Sequence, residues 1–93
     1  MKKEYEFNNL KYELEKDDHG LFDYEVVKEL VTDYFNQYDY IFIDEAYNKI
    51  RLKGFCKKTN RIYKKNNNID TLNDYIENYC AYNCRWCLLK KLK

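Results

Sequence analysis

The 93-residue chain contains no serine and no proline, two glycines and a single histidine. Without serine there is no hydroxyl of that kind for a histidine base to activate. His19 itself stands in a polar Asp-Asp-His-Gly segment with no cysteine beside it, so a base-and-nucleophile pair is not expected. With no proline, no internal repeat and no linker, nothing divides the chain, and residues 1–93 read as one domain. No apolar run is long enough to cross a bilayer. The opening MKKEYEF goes straight into charge, unlike a signal peptide. A soluble, cytoplasmic protein is expected, and its four cysteines are then thiols or ligands and not disulfides.

Apolar residues make up 45% of the chain and aromatics 18%, too many for a segment disordered by low hydrophobicity. A chain of this length buries roughly 60–65% of its unfolded surface, enough for one core. The net charge of +1 conceals a division. Residues 1–46 hold 5 Lys against 13 Asp and Glu, a net of −8, and residues 47–93 hold 12 Lys and Arg against 3 acids, a net of +9. Such polarity between halves points to binding, unless the halves pack so that their charges alternate over one surface.

The segment YDYIFIDEAYNKIRLKGF organises the rest. Two strands, Tyr38–Ile43 and Lys49–Phe55, are expected around a polar turn through Asp44, Glu45 and Asn48. Ile50 and Leu52 alternate with Arg51 and Lys53, as in a half-buried strand. Tyr40, Ile41, Phe42 and Ile43 run together, as in a strand buried on both faces. Gly54 offers a bulge or a close backbone approach. Upstream, Glu4–Phe7 and Lys11–Glu15 predict a hairpin about Asn8-Asn9, whose side chains tolerate left-handed backbone. Asp23 caps a helix with the apolar stripe Val26, Val27, Leu30, Val31, Tyr34 and Phe35, ending near Asn36. Thr59-Asn60 predicts a short hairpin onto Arg61–Lys64. Asp70 or Thr71 caps a second helix with the stripe Leu72, Tyr75, Ile76, Tyr79 and Cys80, ending near Asn83, and Arg85–Leu89 forms a last strand. The expected common core is Val27, Leu30, Val31, Ile41, Ile43, Leu52, Leu72, Ile76 and Trp86. The fold class is α+β, a small mixed or antiparallel sheet of five or six strands with two helices packed on it.

The central segment resembles the signature of the YutD-like family, small bacterial proteins without an established activity. Tyr38, Asp39, Tyr40, Ile41, Asp44, Tyr47, Arg51, Leu52, Lys53, Gly54 and Phe55 match its first block. Ile69, Thr71, Leu72, Tyr75, Tyr79, Cys80 and Cys84 match its second. Ile43, Glu45 and Ala46 stand where the family has Gly, Trp and Gly. The resemblance runs from about Phe7 to the C-terminus and implies a fold more than a role.

Cys80, Cys84 and Cys87 are spaced as in the cluster motif of radical-SAM enzymes, but only six residues follow Cys87, where such enzymes continue into a barrel. Together with Cys56 they make a conceivable four-thiolate zinc set, yet Cys56 lacks the near partner such sites use. Buried core thiols are the preferred reading, and no cofactor or metal is expected. Asp44 and Glu45 form an adjacent acidic pair, able to share acid and base work or to hold a cation if not simply solvated. The strongest functional surface is cationic: Arg51, Lys53, Lys57, Lys58, Arg61, Lys64 and Lys65, with Tyr63 among them to stack on a base. No RNP, KH or helix-turn-helix pattern accompanies it. The sequence therefore predicts a non-enzymatic accessory module whose partner is RNA or a ribonucleoprotein. The alternative is a protein–protein adaptor using the acidic first half, and the third reading is an enzyme of unknown reaction.

Overall fold

The computed structural model describes residues 3–18, 21–46, 49–79 and 85–92. Its centre is an antiparallel sheet of five strands: β1 (Glu4–Phe7), β2 (Leu10–Asp18), β3 (Tyr40–Ala46), β4 (Lys49–Phe55) and β5 (Trp86–Lys91). The spatial order is β1-β2-β5-β3-β4, so the last strand of the chain lies between two hairpins formed earlier. The first hairpin turns at Asn8 and Asn9, both left-handed with φ of 53° and 66°, the geometry two-residue turns require. β2 carries a bulge between Leu14 and Lys16. β3 and β4 pair without interruption from Ala46↔Lys49 to Tyr40↔Phe55.

Each face of the sheet is covered by one helix. Under α1 (Tyr24–Leu30) lies the larger core, where Val27 and Val31 meet Phe7, Tyr12, Leu21, Ile41, Ile43, Cys87 and Leu89. Under α2 (Leu72–Tyr79) lies the smaller one, where Phe42, Phe55 and Leu88 meet Leu72, Tyr75, Ile76 and Trp86. Phe42, Phe55 and Tyr75 pack edge to face at 5.5–6.1 Å between ring centres. Ile41, Phe42 and Ile43 are all buried because β3 has a helix-covered core on both sides. The same holds for Cys87, Leu88 and Leu89 in β5.

Several expectations need correction. The apolar stripe from Val26 to Phe35 does not make one helix. Asp23 does cap α1, accepting from the Glu25 amide, but Val31 turns extended (φ −81°, ψ 105°) and a separate 3-10 turn follows over Asp33–Gln37. The break points Val31 into the core and leaves Leu30 39% exposed, so Leu30 is no core residue. The expected core is also divided: Leu72, Ile76 and Trp86 belong to the face opposite Val27 and Val31. β3 extends through Asp44 and Glu45, which are strand residues and not turn residues. Thr59-Asn60 opens no hairpin, since the segment after β4 runs as turns up to a 3-10 turn at Lys65–Asn67. Asn68 caps a 3-10 turn over Ile69–Thr71, accepting from the Asp70 amide, and that turn leads into α2. Asn48, Asn83 and Cys80 lie outside the described residues.

Tyr12 is fully buried, and its hydroxyl finds no hydrogen-bond partner among the described residues. Burial raises its pKa above the ordinary phenol value. An unmatched buried hydroxyl costs stability while the ring, edge-on to Phe7 at 5.6 Å, contributes it. Tyr12→Phe is therefore expected to hold or raise stability, by about 1 kcal/mol at most, in urea unfolding.

Candidate functional site: a cationic cleft at the β4 edge

β4 ends the sheet, and beyond it the segment from Cys56 to Asn68 folds back alongside. The Cys56 amide donates to the Asn67 carbonyl and the Ile69 amide to the Cys56 carbonyl, closing the excursion. Asp39 and Asn60 hold its middle. The Asp39 carboxylate accepts from the Lys57 amide at 2.8 Å and from Asn60 Nδ2 at 3.1 Å, and Asn60 Oδ1 accepts from the Ile62 amide. Asn67 fastens the far side by accepting from the Lys64 amide and donating to the Ile62 carbonyl. Short polar side chains bonded to local backbone thus do here what a second hairpin was expected to do.

Between this excursion, the edge of β4 and the 3-10 turn after α1 lies a cleft of about 560 Å³. Tyr34, Tyr38 and Tyr63 line it, with Leu52 and Ile62 between them; Arg61 and Lys64 supply charge, and Lys53 borders it while its ammonium lies over Phe55 and Tyr75. No Asp or Glu is among its lining residues. Gly54 makes the wall: a Cβ there would lie 2.3 Å from the Tyr38 ring, so the ring rests against the strand backbone. The Tyr34 and Tyr38 hydroxyls are 2.9 Å apart. That hydrogen bond, with burial behind it, pushes the Tyr38 phenol up to about 12, so its ring is a neutral hydrogen-bonding wall at physiological pH.

Of the cationic residues singled out from sequence, the structure brings Lys53, Arg61, Tyr63 and Lys64 to this one cleft. Lys57, Lys58 and Lys65 are exposed on the same excursion without lining it. Arg51 has another task. Its guanidinium grips the buried Asp44 carboxylate, Nε to Oδ1 at 3.2 Å and the second contact to Oδ2 at 2.6 Å. Glu45 points to the other face and pairs with Arg85 at 2.7–2.9 Å. The adjacent acids are therefore separated by the strand, each with its own arginine, and form no shared carboxylate site. Tyr34, Tyr38 and Gly54 were not read as site residues. Only the glycine, as a place of close approach, signalled itself.

Cys56 and Cys87 are buried free thiols. Burial raises both, Cys87 to about 12 with Asp17 adding to it. Among the described residues no three His, Cys, Asp or Glu side chains gather to hold a metal ion. His19, Cys80 and Cys84 lie outside those residues.

The architecture and cleft define a small α+β protein built on a five-stranded antiparallel sheet with a cationic edge. The family described as "Putative antitoxin YutD-like" matches residues 6–90, and the chain belongs to it. The chain is 35% identical over 85 residues to "Putative antitoxin YutD" of Bacillus subtilis (strain 168), covering 91% of this chain and 93% of that protein. It resembles the solution NMR structure of protein yutD from B. subtilis with a TM-score of 0.80 at 33% identity, covering 98% of this chain and 83% of that one.

Two measurements check the site. Arg51→Met leaves the Asp44 carboxylate buried without its guanidinium and is expected to cost about 2–3 kcal/mol in urea unfolding. Arg85→Met, which breaks the more exposed pair with Glu45, is expected to cost only about 0.2–1 kcal/mol. Equal losses would mean that Asp44 is not held as described. The raised thiols give a pH test. A folded-state pKa above the unfolded one keeps the thiol protonated and favours the native state. That stability is complete below the unfolded thiol value of about 8.5 and is lost as pH rises toward the folded value. Alkylation of Cys87 at mildly alkaline pH is expected to be slow in the native protein and fast in urea. Rapid native labelling would refute its burial.

Proposed function

We propose that this protein is a non-enzymatic accessory module of the antitoxin kind, which holds a partner protein and acts from its cationic sheet edge. The observation that carries this reading is the gathering of Arg61 and Lys64, with Lys53 at the border, around a tyrosine-walled cleft whose lining has no carboxylate. The description borne by the family and by its B. subtilis member supplies the class: an antitoxin works by covering another molecule. The cationic edge is preferred over the acidic first half because a concave, partly aromatic surface anchors a partner better than a flat charged one. Buried free thiols at Cys56 and Cys87 suit a reducing cytoplasm.

RNA or a ribonucleoprotein is the second reading, favoured by one arrangement: Tyr63 lies between Arg61 and Lys64 in the cleft lining, aromatic and cation together. There Arg51, Lys53, Lys57, Lys58, Lys64 and Lys65 would meet phosphates, although Arg51 is already committed to Asp44.

Affinity purification of the tagged chain from its native cells separates the readings. A complex of defined stoichiometry that survives RNase and is lost in an Arg61→Glu, Lys64→Glu double variant is expected. The recovered partner, expressed alone, is expected to slow growth, and co-expression of this chain to restore it. Loss of the complex on RNase treatment, with gel-shift binding that flattens in salt dependence when Lys57, Lys58, Lys64 and Lys65 become Gln, would transfer the function to RNA.

A further inference from the structure

The outer edge of β4 has no strand beside it among the described residues. Exposed edges are normally blunted by brevity, proline, a bulge or a guarding charge. β4 has none of the first three: it is seven residues long, pairs with β3 without a register shift, and the chain lacks proline. The opposite edge, β1, is only four residues long and carries Glu4 and Glu6. Of the three cations within β4, Lys49 is exposed at the start of the strand, and the two farther along are turned toward α2. Arg51 is tied to Asp44, and the Lys53 ammonium lies 5.4 Å from the centre of the Phe55 ring and 5.5 Å from that of Tyr75.

Two clefts flank this edge. Leu52 and Gly54 belong to the α1 face and border the cleft of about 560 Å³ described above. On the α2 face a second cleft of about 490 Å³ is bordered by Lys53, Asn66, Asp74 and Tyr75. A strand laid beside β4 sends successive side chains to opposite faces, and so alternately toward one cleft and the other. The charged residues lining the first cleft are all cations; the second is bordered by both Asp74 and Lys53.

We propose that β4 is an acceptor edge: an extended, acidic segment of the partner protein adds to it as a sixth strand, with its carboxylates entering the tyrosine-walled cleft and its intervening apolar residues lying over Tyr75. This rests on the antitoxin reading and names how the partner is held. Main-chain hydrogen bonds to the edge supply affinity, and the cation set of the first cleft supplies the choice of sequence. A peptide fits these features better than RNA, because an edge strand offers alternating amide donors and carbonyl acceptors that only another backbone matches. Asp74 in the second cleft also opposes a phosphate chain.

The probe is a capped heptapeptide alternating Glu and Val, titrated into the full chain and followed by amide NMR at low and physiological salt. Expected are intermolecular contacts along Lys49–Phe55, slower exchange of the outward β4 amides, and binding weakened at least about tenfold by Arg61→Glu with Lys64→Glu. The same peptide with alternate backbone nitrogens methylated keeps its charge and side chains but loses its donors, and is expected not to bind. Equal binding of the methylated peptide would overturn strand addition while leaving a charge-based antitoxin contact intact. A single-stranded RNA of equal charge that displaces the peptide and binds more tightly would overturn the peptide as occupant. Dilution-dependent shifts along β4 in the free protein, with dimers in sedimentation, would assign the edge to a second copy and overturn the proposal as well.

Discussion

The fold depends on the insertion of Trp86–Lys91 between two hairpins whose strands do not pair with each other. β2 and β3 each pair with β5, over Tyr12–Asp18 on one side and Tyr40–Asp44 on the other. Without β5 the chain has two separate hairpins, each marginal alone. With it, one sheet presents two apolar faces, and each of the two helices has something to cover. The central position explains why Cys87, Leu88 and Leu89 are buried in a row, and why Cys87 is so poor an acid. It also fixes where charge ends up. The acid-rich hairpin is carried to one edge and the cationic hairpin, with its following excursion, to the other.

The charge division of the sequence is partly consumed inside the molecule. Asp44 meets Arg51, Glu45 meets Arg85 and Glu15 approaches Lys90, each an acid of the first half against a base of the second. These pairs sit on β3 and β4, just before and within β5, and on the bulge of β2, where the halves interleave. What lies beyond the interleaved strands is the excursion after β4, and its cations gather round the cleft. A net charge near zero is thus compatible with a strongly signed local surface, the arrangement that steers a charged partner without promoting unspecific binding.

Much of this fold was legible in the sequence. The Asn8-Asn9 turn followed from residues that tolerate left-handed backbone, and the apolar run Tyr40–Ile43 announced a strand covered on both faces. The stripe Val26–Phe35 misled because helical periodicity alone does not show where a chain must bend. Here the break at Val31–Thr32 lets Phe35 and Tyr38 return toward β4. The Asp44–Arg51 pair was within reach: once Ala46 pairs with Lys49, the antiparallel register sets Asp44 opposite Arg51. Glu45–Arg85 was not, because the register of β5 is set by partners far away in sequence. The cleft was hidden for the same reason, being assembled from three separated segments. Only Gly54 marked it, as the one place where a side chain would strike Tyr38.

The central claim is that β5 locks the sheet while the outer edge of β4 has no paired strand among the described residues. Amide hydrogen exchange of the free protein tests both parts together. The expected result is slowest exchange in β5, with β4 alternating along Ile50–Gly54 between slow amides bonded to β3 and fast amides facing out. Uniform protection along β4, or exchange in β5 no slower than in the β1–β2 hairpin, would contradict it.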